Sequence, residues 1–253
     1  MKLRFLGTGT SRGIPEIGCR CAVCTSADAR DSRFRASVLL EIEGKRILID
    51  CGPDFRMQML KTLETDDCMD LDAIILTHEH YDHVGGLDDL RSFCRKGALP
   101  VYAEEYVTQA LRSRLSYIFE RHHYPGIPNL ALFPIENRPF TVSGIEIIPI
   151  RLIHANLPIF GYRIENWAYL TDLKTIPEEE YEKLKNLEVL VINALRIKEH
   201  IAHQNLEQAL ANIEKINPRR AYLTHICHHF GLHAVMEQKL PKNVFIAYDG
   251  LVI

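Results

Sequence analysis

Short apolar runs, separated by polar turns and by helix-period stretches, organise this chain. Residues 38–42 and 45–50 flank Glu43-Gly44, and the recurrence of Leu40, Ile42, Ile47 and Ile49 predicts a β-hairpin. Residues 3–6 read as a first strand. Pro53 suits a first helical turn, so a helix is expected to follow it through Met57, Leu60 and Leu63. Residues 73–77 form a strand-type run that stops where histidines begin. Further strands are expected at 99–102, 145–150, 158–164, 168–170, 189–192 and 221–224. Between the last two, Asn205 is placed to cap a helix whose Leu206, Ala209, Leu210, Ile213 and Ile216 share one face.

No Gly/Ser-rich linker, low-complexity tract or repeat divides the chain. One domain over residues 1–253 is therefore expected. The order of elements fits an α/β fold in which helices cover the outsides of two sheets, an αββα sandwich, although periodicity alone does not separate this from a plain α/β layer fold.

Composition narrows the function classes. The chain has 47% apolar and 25% charged residues, an ordinary globular mixture. Its formal charge of -3, with both signs interspersed, offers no footprint for a long nucleic acid or an anionic membrane. The opening Met1-Lys2-Leu3-Arg4-Phe5-Leu6-Gly7 is unlike a signal peptide, and no run reaches the ~18 apolar residues of a membrane span, so a cytoplasmic location is expected. Three of the seven cysteines crowd between Cys19 and Cys24 while Cys51, Cys68, Cys94 and Cys227 are scattered, which speaks for reduced or metal-bound thiols over a disulfide framework.

The chemistry concentrates in His78-x-His80-x-Asp82-His83. Three imidazoles and a carboxylate within six residues at a strand end form a ligand set for Zn²⁺, Mn²⁺ or Fe²⁺. Without a partner such a cluster is costly. The following Gly85-Gly86 permits close backbone packing and φ > 0 conformations. Read as THEHYDHVGG, residues 77–86 resemble the T-H-x-H-x-D-H-x-x-G signature of the metallo-β-lactamase superfamily. The resemblance implies that superfamily's four-layer αββα fold and three later ligands at strand ends, matched in order by His154, Asp172 and His225. It further implies that His78, His80 and His154 hold one ion, that Asp82, His83 and His225 hold a second, and that Asp172 bridges them.

Cys19-x-Cys21-x-x-Cys24 offers three thiolates for a closed tetrahedral zinc site, which needs a fourth ligand. His228 is the candidate, since a turn after His225 points the two rings in different directions; Cys227 and His229 compete. The alternative is a set of free buried cysteines. The cysteine loop, His228 and the opening Gly7-Thr8-Gly9-Thr10-Ser11-Arg12-Gly13 are similar to the subgroup that contains the phosphodiesterase of the carbon-phosphorus lyase pathway, where such a loop holds a structural zinc. That glycine-rich opening lacks the Gly-Lys-Ser/Thr ending of a nucleotide loop.

The resemblance implies hydrolysis by a hydroxide shared between two metals, with Asp82 and His203 as catalytic candidates. His203, on the loop with His200, matches a histidine at the subgroup's active site; a surface position is the alternative. The expected substrate is a small cyclic or nucleotide-like phosphodiester. A thioester or lactone hydrolase on the same metals, or a cofactor-biosynthesis relative, is the competing reading. Asp50 and Asp54 are expected to orient ligands rather than bind metal. Arg91, Arg95 and Lys96 are candidates for phosphate contacts, with a solvated helix face favoured. The stretch from Arg121 to Pro128, with His122 and His123, is a candidate lid, substrate wall or homodimer contact.

Overall fold

The computed structural model describes residues 1–66, 70–119 and 126–253 and gathers them into two compact units, each built on one mixed sheet. The first unit comprises Met1–Leu6, Ser37–Glu136 and Gly250–Ile253; the second comprises Gly7–Ala36 and Asn137–Asp249.

In the first unit the strands lie in chain order: β1 (Lys2–Gly7), β2 (Ser37–Ile42), β3 (Lys45–Ile49), β4 (Ala73–Ile75), β5 (Leu99–Glu104) and β6 (Leu130–Ile135). The expected hairpin is β2–β3, with Leu40 opposite Ile47 and Val38 opposite Ile49. From β3 to β6 the pairing is parallel. Parallel strands are covered on both faces, and β4 is accordingly apolar and buried throughout. Its helices are α1 (Phe55–Leu63), α2 (Tyr81–Val84), α3 (Glu105–Arg114) and α4 (Ser116–Phe119). Leu39, Leu48, Ile74 and Val101 pack with Phe55, Met59, Val107 and Leu111 in one core. α1 turns a different face inward from the one its apolar spacing predicts. Phe55, Gln58, Met59 and Thr62 are buried, whereas Met57, Leu60 and Leu63 are 46%, 43% and 40% exposed.

The second unit runs β13-β12-β11-β10-β9-β8-β7 across its sheet, from β7 (Phe140–Val142), β8 (Ile145–His154), β9 (Leu157–Ile164), β10 (Trp167–Leu170), β11 (Val189–Asn193) and β12 (Arg220–Thr224) to β13 (Val244–Ile246). β7 to β10 form an antiparallel meander and β10 to β13 are parallel. α5 (Leu206–Ile216) starts as predicted. The Asn205 side chain accepts the Gln208 N–H at 2.9 Å while Gln208 Oε1 accepts the Asn205 N–H, a reciprocal cap of two otherwise unbonded donors. Ala209, Ile213 and Ile216 of α5 pack on Leu190, Ile192 and Leu223 of the sheet. A short α6 (His233–Glu237) follows. Among the described residues no helix is long and apolar enough to cross a membrane.

Candidate metal centre

Most of the chemistry in each unit sits beyond the C-terminal ends of parallel strands, where side chains leave the sheet and neighbouring connections diverge; His154, at the end of an antiparallel strand, is the exception. In the first unit, β4 ends at Ile75 and the chain passes Leu76 and Thr77 into the histidine segment. His78 Nε2 and His80 Nδ1 lie 3.0 Å apart. α2 then carries Asp82 and His83, with Asp82 Oδ2 3.2 Å from His83 Nε2. Two ligand atoms on one ion, each at about 2.0–2.1 Å and separated by 90–109°, stand about 2.9–3.4 Å apart, so both pairs have the spacing of shared ligation.

Ring orientation fits the same purpose. Asp50, fully buried after β3, accepts the Thr77 N–H at 2.8 Å, the Thr77 hydroxyl at 2.9 Å and His83 Nδ1 at 2.7 Å. A His83 proton held on Nδ1 leaves the lone pair on Nε2, the tautomer a metal requires. Burial holds the Asp50 carboxyl above the usual carboxylate range, opposed only in part by the charge of His83 and by the His83 and Thr77 hydrogen bonds. Asp50 therefore fixes the orientation of the His83 ring, a candidate ligand. Asp54 stands at the N-cap of α1.

Gly85 and Gly86 are required for close approach alone. Neither has the positive φ allowed for in the sequence, at -66° and -98°. A Cβ on Gly86 would stand 2.1 Å from the Gly52 carbonyl oxygen, and one on Gly85 2.7 Å from that of Tyr81. Backbone bonds from Cys51 N–H to the His83 carbonyl and from Gly86 N–H to the Cys51 carbonyl lock this segment onto the one carrying Asp50.

In the second unit His154 is the last residue of β8, four residues further along the strand than its expected end. Its Nδ1–H donates to the Ala202 carbonyl at 2.9 Å, again leaving Nε2 as the ligating atom. Asp172 follows β10 and His225 follows β12. Asp172 Oδ2 and His225 Nε2 are 3.2 Å apart, the same shared-ligand spacing. The Asn193 side chain, at the end of β11, accepts the Leu173 N–H and donates to the Leu173 carbonyl, fixing the turn that presents Asp172. His203 packs its ring 4.5 Å from His154 and 4.9 Å from His225, so it lies inside the cluster and not on the surface. Burial, then the neighbouring His225, pulls its pKa down to about 3, which keeps the ring neutral at physiological pH. His154, Asp172 and His203 offer ligand atoms all within 4.8 Å of one another.

A separate cluster in the second unit unites Cys19, Cys21, Cys24 and His228. The three sulfurs lie 3.2, 3.7 and 3.3 Å from His228 Nδ1, close to the roughly 3.6 Å of S and N ligands on one tetrahedral zinc. The opposite nitrogen, Nε2, faces His229 Nε2 at 3.0 Å and Glu16 at 3.4 Å. His229 thus meets His228 from behind, and Cys227 stays outside the cluster. Burial holds the Cys24 thiol up at about 11. A divalent cation among the sulfurs would reverse that preference. The glycine-rich opening passes alongside, with Thr10 N–H bonded to the Ile226 carbonyl next to His225.

Arg91, Arg95 and Lys96 belong to the first unit. Arg91 pairs with Asp88 and Lys96 with Asp70, and all three line a cleft of about 810 Å³ with Phe55, Met59 and Leu60. Residues 121–125 of the candidate lid, His122 and His123 included, and Cys68 fall outside the described residues. Sequence reasoning missed the Ala202 carbonyl, a backbone atom with no residue signature, and Asn193, whose amide looks like any strand-end polar group.

Comparison with known proteins agrees with this geometry. The model of the Beta-lactamase superfamily domain matches residues 45–226. A crystal structure described as a new diphosphatase from the PhnP family superimposes with a TM-score of 0.91 at 38% identity, over 100% of this chain and 96% of that one. An octanoyltransferase of Porphyromonas gingivalis is 48% identical over 254 residues, 99% of this chain but 51% of that protein. A ribonuclease Z of Bacillus licheniformis is 30% identical over 204 residues, 76% of this chain and 60% of that enzyme. The chain thus spans little more than half the length of these two relatives. With its two mixed sheets, its divalent-metal ligand pattern and a family match across most of its length, the chain belongs to the metallo-β-lactamase superfamily.

Proposed function

We propose that this chain is a binuclear phosphodiesterase acting on small nucleotide-like diesters. His78, His80 and His154 would hold one divalent ion, Asp82, His83 and His225 the other, and Asp172 both. The observation that carries this reading is the pairing inside each unit: donor atoms 3.0 to 3.2 Å apart, with His83 and His154 each anchored through Nδ1 so that Nε2 is left to ligate. The likeness to a diphosphatase at 38% identity over the whole chain favours phosphorus over carbon as the centre attacked. Two bound ions would supply Lewis acidity and an activated water.

The chain's own residues do the rest. Asp50 and the Ala202 carbonyl hold the imidazoles in the ligating tautomer. Asp82 would ligate one ion and would help to orient the attacking group. His203, buried and neutral, is suited to donate a hydrogen bond from its N–H to the leaving oxygen as negative charge grows there. Cys19, Cys21, Cys24 and His228 would hold a third ion, a zinc with a structural task.

The second reading, hydrolysis of a thioester, draws on the 48% identity to half of an octanoyltransferase. A hydrolysis screen of bis(p-nitrophenyl) phosphate, cyclic nucleotides, acyl thioesters and lactones, with zinc, manganese or iron added back, separates the two. Phosphodiester turnover that disappears in folded His80→Ala and Asp172→Ala supports the proposal. Turnover confined to thioesters overturns it in favour of the second reading.

A further inference from the structure

We propose that Arg196 and His200 form a subsite for a second anionic group of the substrate, beside His203. The inference rests on the phosphodiesterase reading and sharpens its substrate class to a diester bearing an adjacent phosphate, as in a phosphoanhydride. A cavity of about 590 Å³ lies wholly within the second unit. One wall is the loop carrying Arg12, Glu16 and Cys19; the other presents Arg196, His200 and His203. That volume falls among those of small-ligand sites.

Arg196 is held in place without being neutralised. Its Nε donates to the Lys198 carbonyl at 3.1 Å and its Nη2 to the Glu199 carbonyl at 2.7 Å, so its own loop wraps and orients the guanidinium. Among the described residues no carboxylate pairs with it, its Nη1 takes part in neither of these bonds, and the side chain lines the cavity. Across the cavity Arg12 is different, since it is tied to Glu16 at 2.5 Å. His200 supplies a second donor. Its Nδ1 accepts the Ala202 N–H at 3.2 Å, which places the ring proton on Nε2. Lys174 donates to the His200 carbonyl at 2.8 Å and supports the loop from behind. The His200 ring lies 5.2 Å from that of His203, which in turn stacks on His225. The His200 N–H thus stands one ring away from a proposed metal ligand, and the Arg196 guanidinium lines the same cavity. This pair suits a phosphate oxygen, for which a planar, pre-oriented guanidinium is the best side-chain partner.

The test is calorimetric binding of ADP and AMP to the metal-loaded protein, in wild type, Arg196→Ala, Arg196→Lys and His200→Gln. Wild type should bind ADP more tightly than AMP. Arg196→Ala should weaken ADP by about tenfold while leaving AMP unchanged, as loss of one charge-assisted hydrogen bond implies. His200→Gln should shift ADP in the same direction by less. If Arg196→Ala does not fold, the Lys and Gln variants carry the comparison, Lys keeping the charge but not the fork. A wild type that binds ADP no more tightly than AMP, or variants that lose both ligands equally, overturn the subsite. Absence of bis(p-nitrophenyl) phosphate hydrolysis by wild type would instead sink the phosphodiesterase reading, which the binding data do not touch.

Discussion

Replacing Asp50 by Asn should separate ligand orientation from ligand identity, because it removes one charge and one acceptor at a fully buried position without changing shape. Asp50 faces donors on both oxygens: the Thr77 N–H at 2.8 Å on Oδ1, and His83 Nδ1 at 2.7 Å on Oδ2. The amide can satisfy only one of them. If its oxygen stays with Thr77, its NH₂ meets His83 Nδ1, and the imidazole must move its proton to Nε2, the atom that would ligate. Loss of such an outer hydrogen bond weakens metal binding by about 10–100-fold, or roughly 1.4–2.7 kcal/mol. If the amide turns over, the buried Thr77 N–H loses its acceptor, at about 1–3 kcal/mol of fold stability. Chelator titration with metal counting reads the first cost, and denaturant unfolding of the metal-free protein reads the second. An Asn variant equal to wild type in both measurements would refute the tautomer argument.

Other consequences follow from the same contacts. Cys21→Ser should bind one zinc fewer per chain and melt at lower temperature, by about 4 kcal/mol of lost linkage where free zinc is 1,000 times its Kd; full metal retention in elemental analysis would disprove the zinc assignment. Gly86→Ala forces a methyl to within 2.1 Å of the Gly52 carbonyl oxygen, so denaturant unfolding should show a loss of about 1–3 kcal/mol together with weakened metal binding. His233, buried beside Arg33 Nη2 at 3.1 Å, is pushed below its ordinary 6.5 by burial and then by that guanidinium. The unfolded chain therefore takes up the proton first as pH falls, so this histidine's contribution to stability is complete above about 6.5 and declines below it. His233→Gln should flatten the pH dependence of unfolding in that acid range, and an unchanged slope would show that His233 does not govern it.

The parts of this fold that could be read from the sequence are those where a local pattern and the tertiary environment agree. The β2–β3 hairpin is one, and the Asn205 cap of α5, with Gln208 three residues on, is another. β6 was hidden because Pro134 interrupts its run; as the edge strand it has no neighbour needing that N–H, so the proline is tolerated. α3 buries only Val107, Thr108 and Leu111, too few apolar residues to declare a helical face. α1 misled for the opposite reason. Met57, Leu60 and Leu63 recur with near-helical spacing, yet the neighbouring face with Phe55 and Met59 reaches the core and leaves the first three exposed, Leu60 and Leu63 at a cleft. At the candidate site the clustering of His, Asp and Cys donors was legible, since they gather densely at strand ends and in the cysteine loop. The partners that set each imidazole's tautomer were legible only for Asp50, a side chain, and not for the Ala202 carbonyl.

Backbone conformation adds a constraint that no count of ligands reveals. Asp50, Asp172 and His225 have φ of 64°, 59° and 53°, the left-handed region that generally costs an L-residue about 1–2 kcal/mol, less for Asp and His than for branched side chains. All three stand where a strand of a parallel pair has just ended, and all three either orient a proposed ligand or are one. A chain that continued in extended geometry would send alternate side chains to opposite faces of the sheet. A single left-handed residue at the strand end breaks that alternation, so the side chain projects beyond the sheet edge and the next residue turns away. The strain is thus located where side-chain direction matters most. Replacing Asp172 by a β-branched residue would remove a ligand and also clash with the conformation itself. Asn, which tolerates the left-handed region, removes only the charge, and the difference between Asp172→Asn and Asp172→Val in metal-free stability measures how strongly the fold imposes that conformation.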